Sequence, residues 1–244
     1  MLEAQPLASS ARRLVDSIEL SDNVATDPGA IGLVGLAYAR SANAVALSER
    51  GFSPTLPTPF TVANESYPLS RRLYLYTLPH PRTPLVTNLV NFALSPEGQK
   101  VVRESGFVDL SIAARTPDAC DARCPPGYAA ATLQAKRLTV DLRFRPGTEE
   151  LDSLANRNLE RVVAFLRGRP GAQVLLLGFG DDPAASLARA NQVAREFAKR
   201  GVKPALVKGF GEAMPVTSRN DADGRQRNRR VEVWIRDSTR EQGR

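Results

Sequence analysis

The sequence contains few of the residues on which most enzymes and metal sites depend. Its 244 residues include one histidine, His80, and two cysteines, Cys120 and Cys124. A structural zinc site takes four Cys or His ligands, one more than this chain has. His80 lies between prolines in LPHPRTP, where a loop histidine is expected rather than a member of a Ser-His-Asp triad. Phosphate-binding glycine motifs are also missing. We therefore expect no catalytic residue, no metal and no cofactor.

Long hydrophobic runs are missing as well. No stretch approaches the ~20 uninterrupted apolar residues of a membrane helix, and runs such as Val174–Leu177 have only the length of a strand. The opening MLEAQPLASSARRLV lacks the apolar core of a secretory signal. Hydrophobic residues make up 42% of the chain and charged residues 24%, which are ordinary globular values. This length and composition predict a globular chain of about two domains.

The charge is unevenly distributed. Residues 1–130 carry 11 Lys or Arg and 12 Asp or Glu, whereas residues 131–244 carry 22 and 14. This asymmetry predicts two domains, and a basic half favours a polyanionic partner such as nucleic acid, an acidic membrane surface or an anionic wall polymer. The basic run GRQRNRR at 224–230 has no interleaved aromatic residues, which argues against nucleic acid. A solvated basic surface is the alternative.

The stretch TPDACDARCPPGYAAAT, Thr116–Thr132, is rich in Pro, Gly, Ala and Asp and has no periodicity. We interpret it as a linker between a domain at 1–115 and a domain at 133–237, with a polar tail at 238–244. In an oxidising compartment Cys120 and Cys124 would form a disulfide, and in a reducing one they would be two exposed thiols. Because exposed thiols are a liability, we favour the disulfide.

The second half has regular periodicity. LTVDLRF alternates as a half-buried strand does, and a helical stripe of leucines and valines follows it. QVLLLGF is a continuous apolar run, typical of a strand buried on both faces. Asp182 and Pro183 then open a second helix, with Leu187, Ala190, Ala194 and Phe197 as its buried stripe. ALVKGFG and RRVEVWI complete a β-α-β-α-β-β two-layer α/β sandwich.

The segments LLLGFGD, LARANQVAREF and GFGE-x-x-PV…GR-x-x-NRRVEVWI resemble the OmpA-like peptidoglycan-binding domain over about residues 133–237. The resemblance implies a non-enzymatic protein of the periplasm or cell envelope that binds peptidoglycan. It also implies a signal sequence, which we expect upstream of this chain.

In that family an aspartate after the second strand and an arginine in the next helix hold the diaminopimelate of the stem peptide. Asp181 and Arg189 occupy the matching positions, and Asp182, Asn228 and Arg229 are possible supporting residues. A fixed carboxylate and a fixed guanidinium complement the ammonium and the carboxylate of such a ligand. Asp182 has an alternative role as a helix N-cap.

This sequence departs from the family in the same place. Only DPAASLA separates Asp181 from Arg189, and Phe179 and Gly180 replace an aromatic or histidine followed by threonine. The shortening is expected to remove part of the pocket wall. Arg189 lies about 200° around the helix from Leu187, which predicts an exposed side chain.

The first half also alternates predicted helices and strands. ASSARRLVDSI predicts a helix, DPGAIGLVGLAYA and ESYPLSRRLYLYT predict strands, and residues 83–110 predict two helices joined at SPEG. These segments resemble the C-terminal half of periplasmic phosphate-binding proteins of ABC transporters, over about residues 8–112. The resemblance implies a partial α/β solute-binding lobe with apolar surface exposed where a second lobe would join. It also suggests that the chain is the end of a longer secreted precursor.

The segments that hold the oxyanion in that family have no counterpart here. Ser70 and Arg71 are a possible anion pair, with a strand crossing between lobes as the alternative. We expect residues 1–130 to bind phosphate weakly or not at all. The alternative function for the whole chain is a phosphate- or oxyanion-binding transport component tethered to the cell wall.

Overall fold

The computed structural model describes residues 6, 8–48, 52–116 and 124–237. The first part is mostly helical. Its elements are α1 (Ser17–Thr26), a 3₁₀ turn (Leu36–Tyr38), α2 (Pro59–Ala63), α3 (Pro84–Leu94), α4 (Pro96–Glu104) and the short strand β1 (Ala114–Arg115). None of the helices within these ranges is long and apolar enough to cross a membrane.

The second part forms a five-stranded sheet with helices. Its elements are α5 (Tyr128–Thr132), β2 (Lys136–Arg143), α6 (Ser153–Arg167), β3 (Gln173–Phe179), α7 (Pro183–Ala198), β4 (Leu206–Gly209), α8 (Ala222–Asn228) and β5 (Arg230–Arg236). The strand order is β1-β2-β5-β3-β4, and β3 pairs with β4 in parallel while the other pairs are antiparallel. The predicted α/β sandwich is confirmed, with α8 added in the last connection.

One face of the sheet packs against α6 and α7. Leu159 and Val162 of α6 and Phe197 of α7 are fully buried against alternate residues of the strands, such as Leu176 and Val233. The stripe of α7 differs from the predicted one, because Ser186 and Val193 are buried while Leu187 is exposed.

The opposite face is covered in part by α5. Tyr128 packs on Leu175, Leu177, Phe179 and Trp234, so β3 is buried on both faces as the run QVLLLGF predicts. Residues 128–132 were assigned to the linker, and that assignment is wrong. The buried Tyr128 holds this short helix on the sheet. A helix of five residues is too short to show a helical periodicity in the sequence, so it was not predicted.

The rest of this face carries buried charges. Arg137, Asp141 and Arg143 of β2 and Arg230 and Glu232 of β5 are all turned inward. The alternative of a solvated basic surface is therefore wrong for Arg230, the last residue of the basic run at 224–230. β5 is an internal strand between β2 and β3, and Arg230 is almost completely buried against Phe179 and Glu232.

The first part departs from the predicted α/β lobe. α3 and α4 form as predicted and meet at Ser95, whose side chain accepts a hydrogen bond from the backbone N–H of Gly98. The helix predicted at 8–18 is wrong for most of its length, because α1 begins only at Ser17, where Asp16 is the N-cap. Residues 27–39 and 65–77 form no strand within the described chain. A strand needs a neighbouring strand to satisfy its backbone groups, and no described segment forms a strand pairing with either stretch.

Many apolar side chains of this first part are exposed. Leu73, Tyr74, Leu75 and Tyr76 are each more than half exposed, and Tyr76 is 89% exposed. Side chains of α3, including Leu85 and Leu89, are exposed as well.

The close approach of β3 to α7 generates a stability prediction. A Cβ at Gly178 would lie 2.1 Å from the Ser186 carbonyl oxygen, a backbone atom that cannot move away alone. Gly178→Ala is expected to lower the free energy of unfolding by at least about 2 kcal/mol, measured by chemical denaturation. Gly168→Ala is the matched control, because its Cβ would lie 3.7 Å from the nearest atom. Equal stability of the two variants would contradict the tight helix–sheet packing.

Candidate ligand pocket at the end of the third strand

A pocket of about 250 Å³ lies beyond the C-terminal end of β3. The backbone turns sharply there, with φ of +90° at Gly180 and +56° at Asp181. Gly180 donates its N–H to the Gly211 carbonyl at 2.8 Å, and a Cβ at Gly180 would lie 2.8 Å from Cα of Arg229. Glycine at this position therefore allows the turn that places Asp181 at the pocket.

The Asp181 carboxylate lies between two arginines. Arg189 donates from Nη2 to Oδ2, and Arg229 Nε lies 2.8 Å from the same oxygen. Arg229 also donates from Nη2 to Oδ1 at 3.2 Å. The exposed fractions of the side chains are 29% for Asp181, 11% for Arg189 and 34% for Arg229. The structure therefore brings Asp181, Arg189 and Arg229 into one ion cluster.

The expectation of an exposed Arg189 is wrong. Its side chain runs back along α7 to the helix start, where Nη1 donates to the Gly180 carbonyl at 3.3 Å. Helical side chains point toward the N-terminus of their helix, and a long arginine can reach the preceding turns. The angular position on the helix predicts the direction of the Cα–Cβ bond, but it does not predict the position of the guanidinium at the end of a long arginine side chain.

The two arginines keep Asp181 ionised. Partial burial alone would raise the pKa of Asp181, but the hydrogen bonds and charges of Arg229 and Arg189 outweigh it and lower the pKa below the ordinary 3.8. One carboxylate then faces two guanidinium groups. The cluster carries net positive charge that a ligand carboxylate can share.

The other predicted residues have structural roles here. Asp182 is the N-cap of α7, where its Oδ1 accepts hydrogen bonds from the backbone N–H groups of Ala184 and Ala185 at 2.8 and 2.9 Å. Asn228 lines the pocket, but its side chain is buried and holds the backbone of Val216 and Thr217. Asp182 therefore shapes the helix start, and Asn228 shapes the loop.

The sequence analysis did not predict three charged residues of this pocket. Glu212, Arg219 and Arg225 line the pocket. Arg219 forms an ion pair with Glu212, and Arg225 donates to the Arg219 carbonyl at 3.0 Å. The parallel pairing of β3 with β4 sets the two GFG turns side by side and brings Glu212 next to Asp181. The repeated GFG followed by an acid was the available signal.

The remaining predicted residues lie away from this pocket. The Ser70 hydroxyl donates to the Tyr67 carbonyl at 2.7 Å and accepts from Arg227 at 3.1 Å, while Arg71 is exposed. Neither residue lies in a strand, and their role as an anion pair stays a prediction. His80 lies in a bend, as expected for a loop histidine.

The structure describes one of the two cysteines of the predicted disulfide. Cys124 takes part in a disulfide, whereas Cys120 lies outside the described residues. The pairing of these two cysteines stays a prediction.

Comparison with known proteins adds two similarities. Residues 143–229 match the OmpA family. Over 92 residues the chain is 29% identical to the phosphate-binding protein PstS of Borreliella burgdorferi, an alignment that covers 38% of this chain and 33% of that protein. The chain thus spans about a third of the length of this curated relative.

Several solved structures are similar to parts of the chain. The periplasmic domain of Helicobacter pylori MotB is 20% identical, with a TM-score of 0.38 over 45% of this chain and 78% of its own. A MotB-like protein from Desulfovibrio vulgaris is 22% identical, with a TM-score of 0.39 over 64% and 96%. The peptidoglycan-associated lipoprotein from Burkholderia pseudomallei is 21% identical, with a TM-score of 0.36 over 39% and 89%.

The ion cluster predicts a pH-dependent stability. Because the folded-state pKa of Asp181 is depressed, its contribution is fully present above 3.8 and is lost as the pH falls through the folded-state value. Asp181→Asn is expected to lower the free energy of unfolding by about 1 kcal/mol at pH 7. The difference from the unsubstituted protein should disappear in acid, as measured by denaturation at several pH values. Glu150→Gln, which removes an exposed ion pair, should change little at any pH; a pH-independent deficit in Asp181→Asn would contradict the prediction.

Proposed function

Because residues 143–229 form an OmpA-like domain, we propose that the chain is a non-enzymatic cell-envelope protein that docks on peptidoglycan without covalent bonding. The diaminopimelate of the stem peptide occupies the pocket at the end of β3. The observation that carries the proposal is the Asp181 carboxylate, which lines a pocket with both signs of charge and pairs with Arg189 and Arg229 just outside the pocket lining.

The chemistry of the ligand matches this cluster. Diaminopimelate presents an ammonium and a carboxylate on one carbon. Asp181 accepts hydrogen bonds from the ammonium of the ligand. The two guanidinium groups carry two positive charges against the single negative charge of Asp181, and they bind the carboxylate of the ligand. The arginines are fixed before the ligand arrives, which reduces the ordering cost of binding.

The shortened connection is compatible with this site. Arg189 is the seventh residue of α7, so it lies about 9 Å along the axis from the helix start at a rise of 1.5 Å per residue. An arginine side chain that points back along the helix spans much of this distance, and Arg189 does contact Asp181. The contact supports retention of the ligand pair despite the missing residues.

The first part of the chain is proposed to be a remnant of a solute-binding lobe in the same envelope protein. The alternative function, an oxyanion-binding transport component tethered to the wall, is favoured by the similarity to PstS. Against this alternative, Ser70 is already hydrogen-bonded and Arg71 is exposed. We propose the periplasm or cell envelope as the location of the protein.

Binding to isolated peptidoglycan sacculi tests the proposal. The purified full chain should sediment with sacculi that contain diaminopimelate, and free meso-diaminopimelate should compete. Asp181→Asn and Arg189→Gln should each weaken binding about tenfold or more, because each leaves a charged ligand group without its partner. Asp182→Asn is the matched control: it removes the adjacent carboxylate but keeps a good N-cap, so binding should be unchanged.

Two outcomes would contradict parts of the proposal. Binding of Asp181→Asn at the level of the unsubstituted chain would remove the pocket as the docking site. Equal binding to sacculi with lysine in place of diaminopimelate would leave peptidoglycan docking intact and would reject the stem-peptide assignment.

A further inference from the structure

The pocket beside Asp181 contains a positive group that the ion cluster around Asp181 does not use. Arg225 lines the pocket from α8, and Glu212 lines it from the loop after β4. Glu212 is paired with Arg219. Within the part of the chain that the structure describes, Arg225 forms no ion pair. The pocket therefore offers one guanidinium charge that no carboxylate of the protein neutralises.

One edge of the Arg225 guanidinium is free. The side chain donates a single hydrogen bond, from Nη1 to the Arg219 carbonyl oxygen at 3.0 Å. Among the described residues, no acceptor is bonded to its Nε and Nη2 groups. These two groups form the edge of the planar fork that can hold both oxygens of a carboxylate. Because Arg225 is exposed and lines the pocket, a ligand can reach this edge.

The distance from Arg225 to the ion cluster follows from the geometry of α8. Arg229 comes four residues after Arg225, and its backbone N–H donates to the Arg225 carbonyl at 3.2 Å. Residues four apart lie on the same side of a helix, and a rise of 1.5 Å per residue separates them by about 6 Å. Since Arg229 contacts Asp181, Arg225 lies about one helical turn from the ion cluster.

This spacing matches the length of diaminopimelate. In this amino acid three methylene groups join two carbons, each of which bears a carboxylate. Four staggered carbon–carbon bonds of about 1.5 Å span about 5 Å, close to one turn of α8. The pocket, of about 250 Å³, has room for such a span, and the half-buried Ala213 and Pro215 give it an apolar surface for the methylene groups.

We propose that Arg225 binds the second carboxylate of diaminopimelate, so that the pocket selects stem peptides that end at this residue. The inference rests on the proposed function, because it takes the first centre of the ligand to lie at Asp181. In a stem peptide that ends at diaminopimelate, the second carboxylate is free and ionised. In a longer or amidated stem the same carbon carries a neutral amide, which leaves Arg225 without an anion.

Calorimetric titration of the full chain with two synthetic tripeptides tests this inference. Both are L-alanyl-γ-D-glutamyl-meso-diaminopimelate, and one carries an amide in place of the second carboxylate. We expect the free acid to bind several-fold to about tenfold more tightly than the amide. Arg225→Gln should bind both tripeptides with the affinity of the amide. Arg225→Lys keeps the charge but not the fork, and it should retain part of the preference.

Arg145→Gln is the matched control, because Arg145 is an exposed arginine that pairs with Glu150 and lies outside this pocket. It should keep both affinities of the unsubstituted chain. Equal affinities of the unsubstituted chain for the two tripeptides, or a full preference in Arg225→Gln, would overturn the inference and leave docking on peptidoglycan intact.

The proposed docking fails through a different measurement. Asp181→Asn should weaken the binding of both tripeptides by a similar factor, because Asp181 contacts the centre that the two ligands share. If neither tripeptide bound to the unsubstituted chain, the stem-peptide assignment itself would be rejected, and the selection by Arg225 with it.

Discussion

Glu232 is the buried charge around which the sheet of the sandwich is organised. Its side chain is completely buried in the middle of β5 and accepts hydrogen bonds from Tyr128, Arg230 and Trp234. Burial alone would raise the pKa of Glu232, but the charges of Arg137 and Arg230 outweigh it and lower the pKa. A carboxylate this deep is tolerated only when paired and hydrogen-bonded. Each of its partners is therefore held in position, because moving away would leave a buried carboxylate unpaired.

The constraint extends from Glu232 to the Asp181 pocket on one side and to the first part of the chain on the other. Arg230 donates to Glu232 and also to the Met214 carbonyl at 2.9 Å, which holds the loop beside the Asp181 pocket. On the other side, Arg137 joins Glu232 to Asp141, and Arg143 continues the chain of charges to Glu65 in the first part. The sandwich and the first part thus share one ionic network.

The run GRQRNRR shows how one basic segment serves three sites. Arg227 binds the carbonyls of residues 65–68, Arg229 binds Asp181, and Arg230 is buried against Glu232. The segment accounts for much of the positive excess of the second half, yet these three arginines do not form a solvated surface. A charge run in a sequence gives the sign of the charge but not the groups that will neutralise it.

The first part shows the opposite behaviour. Its apolar residues at 73–76 have the composition of a strand but remain exposed, because no described segment pairs with them. α3 and α4 form nevertheless, since Ser95 caps the second helix locally. Helices close their hydrogen bonds within one segment, whereas a strand depends on another segment. This difference explains why α3 and α4 form as predicted whereas the two predicted strands do not.

By itself the sequence determined the order of strands and helices in the second half, the burial of β3 and the positions of Asp181 and Arg189. These features depend on periodicity and on short motifs, which record local geometry. Tertiary structure alone decided that Arg189 folds back onto Asp181, that Glu212 joins the pocket across the pairing of β3 with β4, and that Arg227 meets the turn at 65–70. Long side chains and strand neighbours connect residues far apart in the chain, and spacing along the chain carries no information about such contacts.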